Sequence, residues 1–336
     1  MDFGLSIDVL LSRLLTAGVA QPPRLSMKLQ PPGAPILIGA WSRDDDFAIH
    51  PVGSKPKRTV ICPEAETRPF LIPSHTYLFK IATGWKAQQL WAEVIAYQIG
   101  CLVGLTVPPA FLAYDERTGE LGVLIEFFYG FPGEAEPARF FHGIDFIRRF
   151  REASNGDRPH DLRTNISICR AYRVPNHLEW WARTLAFDAL IGNTDRHTEN
   201  WGFLIRSRPG RGHHYELAPV YDNGTSLGFQ QADLKKLLEP GAMAGFIAKG
   251  LHHCGWDRNT DAPTPHMDLC EKLAVASAIA GAAMRNVIRF GEDDLRSLVS
   301  RNVCAEIDVP FCTERAELVT AIVLARRARL SAVLGE

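Results

Sequence analysis

Apolar residues recur along this chain with a period that changes partway through, from strand-like runs to helical stripes. Near the start, Leu10, Leu11, Leu14 and Leu15 have helical spacing and predict a short amphipathic helix that Gly18 would end. Pro22, Pro23, Pro31, Pro32 and Gly33 then break regular structure before residues 35–41 read as a first strand. Residues 43–46 read as a charged turn. Residues 76–82, 110–114 and 121–128 predict further strands, the last two joined by a polar turn. Within residues 85–103, Leu90, Trp91, Val94, Ile95, Ile99 and Leu102 follow helical spacing. Together these elements predict a small, mainly antiparallel lobe with one helix, spanning residues 1–130.

Beyond residue 130 the helical period dominates. Residues 139–151 and 177–191 have amphipathic spacing, the second running straight into a polar stretch that begins after Ile191. Residues 201–205 and 214–217 predict a hairpin whose turn is the glycine- and arginine-rich segment 206–212. Alanine-rich periodicity over residues 269–290 and 316–334 predicts a helical block with no motif tied to chemistry. The expected architecture is therefore α+β and bilobal, with a β-rich N-lobe and a larger, mostly helical C-lobe over residues 131–336.

Bulk composition narrows the function classes. A chain of 336 residues, 46% hydrophobic and 22% charged, has enough apolar material for two domains or one large bilobal one. Its 37 basic and 38 acidic residues give a net charge of −1, so neither direct nucleic-acid binding nor a membrane-surface role is expected. Seven cysteines, an odd number without a C-x-x-C pair, fit buried thiols in a reducing cytoplasm. The first apolar run is interrupted by Asp8 and Arg13 and lacks a basic leader, unlike a signal peptide, and no stretch has the length of a membrane span.

Candidate chemistry concentrates between residues 191 and 226. Asp195 and Asn200 have the D-x-x-x-x-N separation of a protein-kinase catalytic loop, and Asp222 follows beyond the hairpin. Phosphoryl transfer needs a carboxylate for the acceptor hydroxyl, oxygen ligands for magnesium and cations on the phosphates. Asp195 suits the first need; Asn200 and Asp222 suit the second. Upstream, Lys80 on a strand and Glu93 on the following helix have the order of a kinase ion pair. Gly53, Ser54, Lys55 and Lys57 could surround phosphates, although ordinary turn chemistry explains the same residues. Glu126 and Phe128, before Gly130, suit a hinge whose backbone meets an adenine edge. Capping would account for one or two of Asn193, Thr194, Asp195 and Asn200, but not for the whole ordered set. A metal hydrolase built on Asp195, His197 and Asp222 lacks a recognisable ligand spacing, so His197 reads as a support for the loop, as do Asp188 and Arg196. Arg158, Arg163, Arg170 and Arg173 read as a solvated face.

Residues 187–203 and 218–226, read together, resemble the two most specific motifs of the HipA-like serine/threonine kinases of bacterial toxin–antitoxin systems and their relatives. The resemblance runs from Gly53 into the C-terminal helices. It implies a bilobal protein-kinase-like fold, ATP with Mg2+ as cofactors, and transfer to a protein serine or threonine. On that resemblance Asp195 is the catalytic aspartate, Asn200 and Asp222 the metal ligands, and Lys80 the nucleotide lysine with Glu93 its partner. Gly53 and Ser54 match the family's phosphate loop, where a serine can be autophosphorylated, so Ser54 is a regulatory candidate. An antitoxin protein is an implied partner beside the protein substrate. A small-molecule kinase and an inactive nucleotide-binding scaffold are the alternatives.

Overall fold

The computed structural model describes residues 26–43, 57–152, 160–208, 210, 212–257 and 263–336. The helix expected near Leu10, most of the charged turn at 43–46, Gly53, Ser54, Lys55 and Arg158 lie outside the described residues.

Among the described residues, the first lobe is built on a six-stranded sheet. Its strands are β1 (Ile36–Leu37), β2 (Ser42–Arg43), β3 (Lys57–Ile61), β4 (Thr76–Ile81), β5 (Ala110–Asp115) and β6 (Glu120–Glu126), in the order β1-β5-β6-β4-β3-β2. Alternation along β4 sends Tyr77, Phe79 and Ile81 into an apolar cluster with Ile36, Ile38 and Trp41. Leu78 and Lys80 therefore face the opposite side, where helix α1 (Gln89–Leu102) lies. Every residue of α1 is buried, and its apolar residues join one continuous core running from Leu112, Val123 and Ile125 of the sheet into the helices of the second lobe. A helix buried on every face in this way is stable only when covered on both sides.

The second lobe begins with β7 (Arg139–His142), followed by α2 (Gly143–Glu152), α3 (Leu162–Ala171), α4 (His177–Ile191) and the hairpin β8 (Gly202–Arg208) and β9 (Gly212–Leu217). Then come α5 (Leu234–Leu238), α6 (Pro240–Ala248), the short pair β10 (Leu251–His252) and β11 (Thr264–Pro265), α7 (His266–Ala276), α8 (Ala278–Ile288), α9 (Glu292–Ser300) and α10 (Thr313–Leu334). No helix among the described residues is long and apolar enough to cross a membrane. All seven cysteines are free thiols, and all but Cys312 are buried.

The sheet is mainly antiparallel, as expected, with the short β1 parallel to β5. Three expectations need correction. The first strand is only Ile36–Leu37, because the chain turns at Trp41, whose N–H bonds Ile38 O at 2.9 Å. Residues 139–142 form a strand, not a helix start, because β8 offers its edge to them with Phe140 opposite Leu204. The apolar period over 269–290 is two helices, broken where Ser277 is extended and its side chain caps Ala280 N at 3.2 Å.

Candidate active site

Helix α4 stops at Gly192, whose φ of 69° is left-handed. A Cβ there would lie 2.8 Å from Arg326 Cζ, so glycine is required on two counts. The chain then turns through Asn193, which is fully buried. Its Nδ2 donates to Asp188 Oδ1 at 3.0 Å, while its Oδ1 accepts from Asp195 N at 3.2 Å and Thr225 Oγ1 at 2.9 Å. These bonds fix the backbone at Asp195 and leave its side chain half-buried.

Asn200 closes the loop by donating from Nδ2 to Asp195 O at 2.6 Å. With the amide nitrogen committed, Oδ1 is the atom available to a cation. His197 lies between them and accepts at Nδ1 from Glu199 N at 3.1 Å. Its ring packs edge-on against His253 at 5.9 Å between centroids.

Arg196 binds the loops together. Fully buried, it donates from Nε to Asp188 Oδ2 at 3.0 Å and from Nη2 to Asp188 Oδ1 at 2.8 Å. Nη1 reaches Asn200 O at 3.0 Å and Tyr221 O, and Nη2 reaches Asn223 Oδ1 at 2.7 Å. His252 adds to Asp188 Oδ2 from Nε2 at 3.2 Å, with its Nδ1 accepting from Cys254 N at 3.0 Å. Burial would raise the Asp188 pKa; the Arg196 charge, with the His252 hydrogen bond, outweighs it and holds the carboxyl well below its ordinary range.

The third component comes from the first lobe. Lys80 Nζ sits 3.0 Å from Glu93 Oε1 and 3.1 Å from Asp222 Oδ1, with 13% of its side chain exposed. Burial opposes the charged amine, but the Asp222 carboxylate and then that of Glu93 raise its pKa overall. Glu93 Oε2 also accepts from Asn223 N at 3.0 Å. Asp222 is itself left-handed, φ 56°, a conformation that costs a non-glycine residue about 1–3 kcal/mol unless its surroundings impose it. Here both neighbours are held: Tyr221 O by Arg196, and Asn223 N by Glu93.

The structure thus brings Asp195, Asn200, Asp222, Lys80 and Glu93 together, with His197 in the same loop. Lys57 is paired directly opposite Lys80, so the two side chains leave the same face of the sheet. Glu126 and Phe128 lie at the junction of the lobes. The Glu126 carboxylate accepts from Lys28 Nζ at 2.6 Å and Tyr77 OH at 3.2 Å, and its N–H goes to Pro109 O at 2.9 Å. The Phe128 ring stacks on Tyr221 at 5.3 Å between centroids. Sequence reasoning took Asn193 only as a possible cap and missed Asn223, Thr225, His252 and Lys28. Only Asn223 and Thr225 carried a signal, their place beside Asp222.

The donor set fits a small hard cation: an amide oxygen from Asn200 and a carboxylate from Asp222 are both oxygen ligands. Among the described residues no group of three or more His, Cys, Asp or Glu could hold a metal alone. Magnesium characteristically completes its shell with water and substrate phosphates, so two protein ligands suffice.

A two-lobed fold with this constellation at the junction is kinase-like. The crystal structure of the proinflammatory kinase CtkA from Helicobacter pylori matches it with a TM-score of 0.66 and 16% identity, over 90% of this chain and 97% of that one. The complex of toxin–antitoxin proteins HipA and HipB with operator DNA from Shewanella oneidensis MR-1 matches more loosely, with a TM-score of 0.45 and 13% identity over 98% of this chain and 71% of that one. In sequence, the serine/threonine-protein kinase CtkA of Helicobacter pylori strain J99 is 48% identical over 46 residues, 14% of this chain and 13% of that protein. The HipA-like C-terminal domain profile matches residues 52–244, more than half of the chain, and the chain belongs to that family.

Proposed function

We propose that this chain is an ATP- and Mg2+-dependent serine/threonine protein kinase of HipA type. One observation carries the reading. Lys80 is held between Glu93 and Asp222 at 3.0 and 3.1 Å while Asn200 is bonded to the Asp195 carbonyl, and Arg196 ties the Asn200 and Tyr221 carbonyls together, so the cation, the two metal-ligand candidates and the Asp195 backbone belong to one network.

In that role Asp195 orients the acceptor hydroxyl and takes its proton as the oxygen attacks the γ-phosphorus and the bond to the β-phosphate bridging oxygen breaks. Lys80, drawn up by Glu93, has N–H donors to offer the phosphates, with Lys57 on the same face of the sheet. Asn200 and Asp222 would hold the magnesium ion, which when bound neutralises charge on the phosphoryl oxygens. Arg196 positions those two ligands against each other. Phe128 would be the hinge residue to flank an adenine ring, whereas the Glu126 N–H is already bonded to Pro109 O and its carboxylate to Lys28 and Tyr77. Family membership extends the proposal to autophosphorylation at Ser54, with Gly53 and Lys55 beside it, and to an antitoxin partner. The free thiols fit a cytoplasmic setting.

The test is incubation of the purified protein with γ-labelled ATP and magnesium, alone and with a general protein acceptor. Label is expected on protein for the unaltered chain and absent in Asp195→Asn and Asp222→Asn. Transfer persisting in both variants would overturn the assignment. Label only on a small-molecule acceptor would replace the protein substrate, and ATP binding without transfer would leave a scaffold. Phosphate mapped elsewhere than Ser54 would remove the autoregulatory element alone.

A further inference from the structure

Helix α1 carries Glu93 through an apolar core, and apolar packing, being non-directional, does not fix a helix along its own axis. An axial slip of about 1.5 Å, one residue's rise, takes a contact such as Glu93 to Lys80 out of hydrogen-bond range. Directed bonds on α1 therefore matter. Three side chains take theirs from a segment beyond residue 244, where the family match ends.

Gln98 and Asn302, both buried, exchange side-chain bonds. Gln98 Nε2 donates to Asn302 Oδ1 at 3.0 Å, and Asn302 Nδ2 donates to Gln98 Oε1 at 2.8 Å. Asn302 Nδ2 also donates to Leu298 O at 2.9 Å, so the pair ties α1 to the end of α9. Trp91 Nε1 donates to Val309 O at 2.9 Å, with its ring 5.0 Å from that of Phe311 between centroids. Gln88, just before α1, donates from Nε2 to Pro310 O at 3.0 Å. Those carbonyls sit on a closed loop, since Cys304 and Phe311 exchange backbone bonds at 3.0 and 2.9 Å. At about 100° per residue, Gln88, Trp91 and Gln98 fall within about 80° of one another, and Glu93 lies about 140–160° from each. Segment 302–311 thus bears on the back of α1 while Glu93 works at its front.

Glu93 supports Asp222 in two ways: it shares Lys80 with that carboxylate, and it holds the N–H of Asn223 next to it. We propose that segment 302–311 is a clasp that sets the register of α1, with Gln98, Trp91 and Asn302 as positioning residues that act through Glu93 on Asp222. The functional half of this rests on the metal-ligand role given to Asp222 in the kinase reading. When α1 slips, Lys80 loses Glu93 and keeps Asp222, so its ammonium competes with Mg2+ for that carboxylate.

The full chain is compared with the double variant Trp91→Phe, Asn302→Ala. Trp91→Phe keeps a ring against Phe311 and removes one donor; Asn302→Ala removes the amide pair. Hydrogen exchange of residues 89–102 without nucleotide reads the position of α1, and calorimetry reads the Mg2+ concentration that gives half-maximal ATP binding. The double variant should exchange faster over 89–102 and need at least about threefold more Mg2+. Leu330→Ala, a cavity in α10, should lower Tm without moving the Mg2+ requirement. Unchanged exchange on α1, a smaller rise in the Mg2+ requirement, or an equal rise in Leu330→Ala would overturn the clasp. If the double variant does not fold, Trp91→Phe alone decides, by faster exchange and a raised Mg2+ requirement or by neither. An unaltered chain that binds no ATP refutes the kinase assignment, whereas ATP binding with an unmoved Mg2+ requirement in the variant refutes the clasp alone.

Discussion

Replacing Arg196 by methionine tests whether the catalytic and metal-binding loops depend on a single buried cation. Methionine keeps much of the side-chain length, so the loss is electrostatic and hydrogen-bonded more than steric. Five hydrogen bonds disappear: two to Asp188 and one each to Asn200 O, Tyr221 O and Asn223 Oδ1. Asp188 retains Asn193 and His252 as donors, but its fully buried charge loses the cation that compensates it. Breaking a buried ion pair from one side costs about 3–5 kcal/mol. Each orphaned carbonyl adds on the order of 1–3 kcal/mol where no water reaches it. Against native stabilities of about 5–15 kcal/mol, a loss of at least about 3 kcal/mol is large. Urea unfolding followed by circular dichroism at pH 7 measures it. The informative comparison is the double variant Asp188→Asn with Arg196→Met, which removes the stranded charge and keeps an amide oxygen for one of the two donors, Asn193 and His252. It is expected to recover part of the loss. A single variant destabilised by less than about 1 kcal/mol, or a double variant less stable than the single one, would refute the reasoning.

Three further outcomes follow from the same contacts. Lys80→Met should abolish phosphoryl transfer while the chain stays folded, because Glu93 keeps its bond to Asn223 N; a steady-state assay with circular dichroism separates the two. Stability should fall as pH drops from about 6.5 towards 3, since burial, then the Arg326 charge, holds the His266 pKa at about 3, and the unfolded chain binds the proton first. Tm measured across that range should show a shallower slope in His266→Gln, and an unchanged slope would remove His266 as its source. With iodoacetamide at pH 8, Cys312 should react first, because burial pushes Cys62 and Cys169 up to about 12 and Cys101 to about 11; peptide mapping showing early alkylation of these three would contradict the burial.

Much of the candidate site was legible because its signals are local. The separation of Asp195 from Asn200 needs only one turn of chain, and the alternation along residues 76–81 alone puts Lys80 on the opposite face from Tyr77 and Phe79. The hairpin that returns the chain towards Asp222 was likewise written in adjacent residues. Local signals failed where a distant edge or partner decided the outcome. Residues 139–142 carry a pattern that a helix could use, but the unpaired edge of β8 satisfies their backbone groups first, and Gly143 packs so closely on the Trp201 ring that no side chain fits there.

The braces around the site are a tertiary result throughout. Asn223 meets Glu93 across 130 positions of sequence, and His252 meets Asp188 across 64. Neither has a periodicity, because a buried charge or N–H recruits whichever donor or acceptor the packed core brings within reach. Sequence alone determined the two lobes, the order of the candidate groups and the face from which Lys80 projects. Only the folded chain decided that Arg196 would hold two loops together, and that Arg326 and His266 would be buried against Gly250, since long-range packing chooses the partners of a buried polar group.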